Sequence, residues 1–158
     1  MSEARELIHG TCVALGSHAA LIRGPSGSGK SDLALSFLAL AAEPGLEPLL
    51  VADDQVWIER QKDGSLAASA PPSLAGKIEV RGLGILDLPH CRQARLILIA
   101  DLVPAEEVPR MPPVPATRIT LAGVALPVVR LAPFELSAAL KLKLALLSAV
   151  SQSPHQQA

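Results

Sequence analysis

A glycine-rich segment at 24–31, GPSGSGKS, constrains the fold of this chain more than any other feature. It fits the pattern G-x-x-x-x-G-K-[ST] at every fixed position. In that pattern an apolar strand leads into a loop whose backbone N–H groups point inward, and a helix begins at the lysine. Here an apolar stretch at 19–23 precedes the loop, and a helical pattern covers 30–42. The sequence therefore predicts a strand, an anion-binding loop and a helix, in that order.

The residue types in this loop suit the phosphate tail of ATP. Glycine allows the backbone to approach a phosphate closely, and the start of a helix favours an anion. Lys30 supplies a mobile positive charge for the β- and γ-phosphates, and the Ser31 hydroxyl can ligate Mg²⁺. We therefore predict ATP and Mg²⁺ as cofactors. The predicted nucleotide-binding residues are Gly24, Pro25, Ser26, Gly27, Ser28, Gly29, Lys30 and Ser31.

Carboxylates at the ends of two predicted strands are candidates for the metal and for the nucleophile. The segment LLVADD ends at Asp53 and Asp54, and the segment LILIAD ends at Asp101. Spacing alone does not choose between them, and aspartates at strand ends often only form turns. Adjacent carboxylates repel each other unless a cation or a proton lies between them. Beside Mg-nucleotide, one of the adjacent pair can therefore help hold the metal while the other accepts a proton from a hydroxyl.

The segment EVRGLGI carries a third candidate carboxylate, Glu79. Glu79 and Arg81 lie two residues apart and share one face of a strand, so a metal ligand could stand beside a charge-stabilising guanidinium. The alternative is an ordinary surface ion pair. We expect an extended segment over 78–85 that bends at Gly82 and Gly84.

Composition restricts the fold and the partners. Predicted strands outnumber helices, which favours an α/β sandwich over a regularly alternating doubly wound sheet. With 158 residues, we expect a single domain at 1–150 and a disordered polar tail at 151–158. Fourteen basic and fifteen acidic residues argue against nucleic acid as a partner. No apolar run approaches the ~20 residues of a membrane span, and no signal-peptide core is found, so we expect no membrane association and a cytoplasmic protein.

In order, these segments resemble the C-terminal catalytic domain of the bacterial HPr kinase/phosphorylase family, in a short form without the family's N-terminal domain. The resemblance is carried by the glycine loop, by a late helix and by three short motifs, HG at 9–10, LVADD at 50–54 and EVRGLGIL at 79–86. It implies a P-loop sandwich similar to phosphoenolpyruvate carboxykinase, assembled as a homo-oligomer, a hexamer. It also implies phosphate transfer from ATP to a serine of HPr, the phosphocarrier of the phosphotransferase system, and the reverse phosphorolysis.

The resemblance implies catalytic roles for individual residues. Asp54 would be the general base on the serine hydroxyl, with His9 beside it. Lys30 would hold the transferring phosphate. Ser31 and Glu79 would ligate Mg²⁺.

Asp53 and Arg130 complete the predicted site. Asp53 is included with the metal ligands because it adjoins Asp54. Arg130, in the segment PVVRLAP, takes the place of a second family arginine. The resemblance leaves Asp101 as a structural strand end.

Two other functions remain open at this stage. One is a small-molecule P-loop kinase that uses Asp101 as its metal aspartate. The other is a nucleotide-sensing module without catalysis, because the segment at 138–143 departs from the family's pattern. Such a module would bind nucleotide tightly without transferring phosphate.

Overall fold

The computed structural model describes residues 5–152. Within them, nine strands form one mixed sheet, two strands form a separate ribbon, and two α-helices are present. The strands of the sheet are β1 (Arg5–His9), β2 (Thr11–Leu15), β3 (His18–Arg23), β4 (Pro48–Ala52), β5 (Gln55–Arg60), β6 (Leu66–Ser69), β9 (Gln93–Leu102), β10 (Arg118–Leu121) and β11 (Val124–Leu131). The ribbon is β7 (Lys77–Val80) with β8 (Gly84–Asp87), and the helices are α1 (Lys30–Leu38) and α2 (Ala138–Gln152).

The directions of the central strands bring the candidate residues to one edge of the sheet. The strand β9 lies parallel to both β3 and β11, and β4 runs in the direction of β3 because each is antiparallel to β2. The carboxyl ends of these four strands therefore lie at the same edge. The loop 24–31 follows β3 there, and Asp53 follows β4. Ligands of open α/β sheets bind at such an edge.

Both faces of the central strands are buried, which explains why their sequences are almost continuously apolar. Along β2, Val13 belongs to a core shared with both helices, whereas Cys12 belongs to a second core on the opposite face. On β3, Ala20 and Leu21 divide between the same two cores. This two-sided packing confirms the predicted α/β sandwich.

Helix α1 is shorter than predicted, and helix α2 extends into the predicted tail. Helix α1 ends at Leu38, four residues early, because the N–H groups of Ala39 and Leu40 bond to carbonyls only three residues back and tighten the last turn. Helix α2 continues to Gln152, so the first two residues of the predicted tail are helical. The rest of that tail, 153–158, lies outside the described residues. Neither helix described here is long and apolar enough to cross a membrane.

The segment predicted as a single bent strand at 78–85 is a β-hairpin. Strands β7 and β8 pair in antiparallel register, and the N–H of Leu83 bonds to the carbonyl of Val80 at 2.9 Å. Gly82 and Gly84 have φ values of 89° and 93°, which glycine adopts without steric cost. The glycines therefore reverse the chain rather than bend it, and the hairpin faces the edge where the glycine loop lies.

Candidate active site

A cleft of about 690 Å³ opens at the carboxyl edge of the sheet, between the glycine loop, the end of β4 and the β7–β8 hairpin. It brings together most of the predicted site residues. The predicted residues that line it are His9, Ser26, Gly27, Gly29, Lys30, Ser31, Asp53, Asp54 and Glu79. Four predicted residues, Gly24, Pro25, Ser28 and Arg130, do not line it.

The glycine loop has the shape of an anion cradle. Gly27 and Gly29 have φ values of 81° and 99°, and a Cβ at Gly27 would meet nothing within 4 Å, so the loop is open on that side. Helix α1 starts with Gly29 as its N-cap, a residue without a side chain to cap the helix. The first backbone N–H groups of α1 have no acceptor within the helix and can bind an anion. These features fit a nucleotide phosphate.

The Lys30 ammonium is fixed by the loop itself. Lys30 is 8% exposed, and its Nζ donates to the carbonyls of Gly24 at 2.8 Å and of Pro25 at 3.0 Å. An ammonium has three donors, so these bonds leave one for a phosphate oxygen. The two carbonyls thus hold the charge at the loop, and Gly24 and Pro25 contribute through their backbone.

Asp53 joins the loop to two other segments through its buried carboxylate. Oδ1 accepts hydrogen bonds from the hydroxyls of Thr11 and Ser31, each at 2.9 Å, and Oδ2 accepts one from the N–H of Glu79 at 3.3 Å. Because Ser31 donates its proton to Asp53, the lone pairs of the Ser31 oxygen remain available to a metal ion. The carboxylate therefore orients the hydroxyl that the sequence predicts as a Mg²⁺ ligand.

Asp54 lies at a sharp turn of the chain. The N–H of Gln55 bonds to the carbonyl of Asp53 at 2.8 Å, and Asp54 between them has a φ of 70°. This geometry is a γ-turn with positive φ, which is strained for any residue other than glycine. The turn places the side chain of Asp54 in the cleft, where its Oδ1 lies 3.3 Å from Nδ1 of His9.

The β7–β8 hairpin supplies the wall of the cleft opposite the loop. Glu79 and Arg81 both line the cleft with exposed side chains, and Lys77 on the same wall forms an ion pair with Asp87 at 3.1 Å. Across residues 5–152, no three His, Cys, Asp or Glu side chains converge to hold a metal by themselves. Mg²⁺ in nucleotide sites takes one or two protein ligands together with phosphates and waters, so the hydroxyl of Ser31 with a nearby carboxylate fits that ion.

Asp101 and Arg130 lie apart from this cleft. Asp101 accepts a bidentate pair of bonds from Arg23 on the neighbouring strand, at 2.8 and 2.9 Å, which fixes its carboxylate in an ion pair. Arg130 is exposed on β11 opposite Asp101 and does not line the cleft. Strand β11 pairs with β9, so β9, β3 and β2 separate it from β4, where the cleft lies. The geometry thus lends no support to the predicted catalytic role of Arg130.

Two residues of this region, Thr11 and Phe134, were absent from the predicted site, whereas Arg81 lies in the cleft beside Glu79 as the sequence suggested. The hydroxyl of Thr11 donates a hydrogen bond to Asp53, and the ring of Phe134 packs on Gly29, where an added Cβ would meet it at 3.0 Å. Thr11 could have been found from the sequence, because it is the one polar residue of the otherwise apolar strand β2. The sequence contains no comparable sign that Phe134, more than 100 residues away, packs on the loop.

The family model for the HPr serine kinase C-terminal domain matches residues 2–98, more than half of the chain. The chain belongs to the HPr serine kinase C-terminal domain family. The matched region contains the glycine loop, both adjacent aspartates and the β7–β8 hairpin. The predicted resemblance is therefore confirmed for this domain.

Relatives of the HPr kinase family agree with this assignment. An HPr kinase/phosphorylase of Bordetella petrii is 35% identical over 128 residues, which are 77% of this chain and 40% of that protein. One of Lacticaseibacillus casei is 37% identical over 84 residues, 53% of this chain and 24% of that protein. The chain thus spans less than half the length of these relatives.

A solved structure shares the fold. The structure of the Hpr(Ser) kinase/phosphatase from Coxiella burnetii superposes with a TM-score of 0.71 at 24% sequence identity. The superposition covers 93% of this chain and 90% of the Coxiella chain. This match confirms the predicted fold class of the HPr kinase catalytic domain.

Proposed function

We propose that this domain is a Mg-ATP-dependent protein kinase that phosphorylates a serine of an HPr-type phosphocarrier. The observation that carries the proposal is the position of Asp54, whose carboxylate stands beside His9 in the same cleft as the anion loop. A protein kinase needs a carboxylate that accepts the proton of the attacking hydroxyl close to the transferring phosphate. The family relatives bear the names of HPr kinase/phosphorylases, which supports this acceptor.

Each residue of the cleft has a part in this proposal. Mg-ATP, when bound, supplies the phosphoryl group and the metal charge that neutralises the phosphates. The backbone of the loop and Lys30 hold the phosphate tail, and Asp53 keeps Ser31 turned toward the metal position. Asp54 aligns the serine hydroxyl and accepts its proton, while His9 fixes the orientation of that carboxylate.

The reverse reaction, the assembly and the location follow from the same proposal. Phosphorolysis would use the cleft in reverse, with Asp54 returning the proton to the serine oxygen. We extend the family's hexamer to this chain as part of the proposal. A kinase that uses ATP and HPr would act in the cytoplasm, where both occur.

A phosphotransfer assay with a matched pair of variants tests the proposal. The protein is incubated with labelled ATP, Mg²⁺ and HPr from the same cell, and phosphoserine on HPr is measured. We expect transfer by the wild type and loss of transfer in Asp54→Asn with nucleotide binding retained. Asp87→Asn is the control, because it makes the same chemical change on an exposed carboxylate that does not line the cleft.

Two outcomes would contradict the proposal. Nucleotide binding without transfer to HPr would instead favour the sensing module. Full activity in Asp54→Asn would remove Asp54 from the base role. The small-molecule kinase receives less support from the geometry, because Asp101 does not line the cleft and is paired with Arg23.

A further inference from the structure

A second cleft lies directly beside the glycine loop, and the proposed chemistry leaves it unused. It encloses about 470 Å³, within the ~300–1,000 Å³ typical of small-molecule sites. Its wall comes from the loop and from the segments that follow β9 and β11, and the apolar residues in it include Pro25, Leu102, Val103, Pro104, Pro133 and Phe134. It therefore stands over the carboxyl ends of parallel strands, where α/β sheets bind ligands.

The second cleft has the chemistry of a site for a flat apolar ring and not for another phosphate. Of its polar side chains, Ser28 has an uncharged hydroxyl, and the carboxylate of Glu135 is paired with Lys141 at 2.8 Å. The lining includes no Lys, Arg or His side chain to attract an anion. A nucleobase can lie against such a wall and stack on an aromatic ring.

Phe134 lies at the border of the two clefts. Its ring lines both of them and packs on Gly29, at the point where the loop passes into α1. The side chain is 73% exposed, so it is free to contact a ligand on its outer face. A molecule that places phosphates in the loop and a ring on the other side of Phe134 would be a nucleotide.

We propose that this second cleft binds the nucleobase of the nucleotide whose phosphates lie in the loop 24–31. The inference rests on the proposed nucleotide-dependent function and adds the subsite that lets the protein distinguish a nucleotide from a polyphosphate without a base. Phe134 stacks on the base, and the apolar segments after β9 and β11 exclude water from its faces.

Calorimetric titrations with ADP and with pyrophosphate, each with Mg²⁺, test the inference. Phe134→Ala removes the stacking ring, and Ala105→Phe fills the cleft from a residue that the structure places in its wall and on the surface. We expect each variant to weaken ADP binding about tenfold, since the stacking of one base contributes about that factor to affinity. Pyrophosphate has no base, so its affinity should change by no more than about twofold. Leu136→Ala is the control, because this fully exposed residue near Phe134 lines neither cleft.

The possible failures are distinguishable. If the wild type binds neither ligand, the nucleotide site itself is wrong and the proposed function falls with it. If the wild type binds both ligands and both variants bind ADP normally, only the nucleobase site is wrong. An equal loss of ADP and pyrophosphate in Ala105→Phe would also overturn the inference, because the substitution would then act on the phosphate loop. Circular dichroism of each variant establishes that it is folded.

Discussion

The buried carboxylate of Asp53 should control both the stability of the domain and the order of its phosphate loop. Its three hydrogen bonds join Thr11 on β2, Ser31 in α1 and Glu79 in the hairpin. The informative perturbation is a double-mutant cycle between Asp53→Ala and Thr11→Val. Thr11 is fully buried, and valine has its shape without the donor.

The structure sets the expected size of each effect. Thr11→Val removes one bond to a charged acceptor that keeps two others, a loss of about 1.5 kcal/mol. Asp53→Ala leaves the buried Thr11 hydroxyl without an acceptor and also removes the longer bond from Glu79, whereas the half-buried Ser31 can turn to water. We expect a loss of about 3 kcal/mol. The double variant should lose only about 2.5 kcal/mol, because valine removes the stranded hydroxyl, which gives a coupling of about 2 kcal/mol.

Urea unfolding of the four proteins measures this cycle. Far-UV circular dichroism and the fluorescence of Trp57, the single tryptophan, should give coincident transitions. Losses that add to within about 0.5 kcal/mol would show that Thr11 and Asp53 do not interact energetically. A cost below about 1 kcal/mol for Asp53→Ala would refute the argument that its three donors depend on it.

Four further results are expected. Lys30→Ala should weaken ATP binding about 10- to 100-fold by calorimetry, because it removes a charged donor at the phosphates. Asp54→Gly should abolish transfer yet raise the free energy of unfolding by about 1 kcal/mol in urea, since relief of positive φ exceeds the entropy cost of glycine. Glu79→Gln should raise the Mg²⁺ concentration needed for half-maximal rate, and Asp101→Asn should not, although it should cost about 1 kcal/mol of stability through its ion pair. Burial raises the pKa of the Cys12 thiol and keeps it protonated and unreactive at pH 8. Iodoacetamide should therefore label Cys12 only after the protein unfolds, which mass spectrometry can measure.

Local sequence determines the phosphate loop because each of its requirements is met by neighbouring residues. The apolar strand β3, the glycines with positive φ and the helix that starts at Lys30 follow one another without a break. The tight connections of the β10–β11 and β5–β6 hairpins are local in the same sense, because each joins strands that are adjacent in the chain. Contacts between residues distant in sequence were not predicted, as the bond from Thr11 to Asp53 and the packing of Phe134 on Gly29 show.

Which of Asp53 and Asp101 contacts the glycine loop became visible only in the tertiary structure. Both aspartates end apolar strands at the same edge of the sheet, so no local pattern distinguishes them. The order of the strands pairs Asp101 with Arg23 on the adjacent β3, whereas Asp53, which follows β4, accepts a hydrogen bond from Ser31. The packing of Phe134 on the loop depends likewise on where α2 begins relative to β11. Sequence by itself thus determined the shape of the glycine loop, since that shape depends on the backbone of eight consecutive residues. The tertiary structure decided which distant side chains lie beside the loop, since their positions depend on strand order.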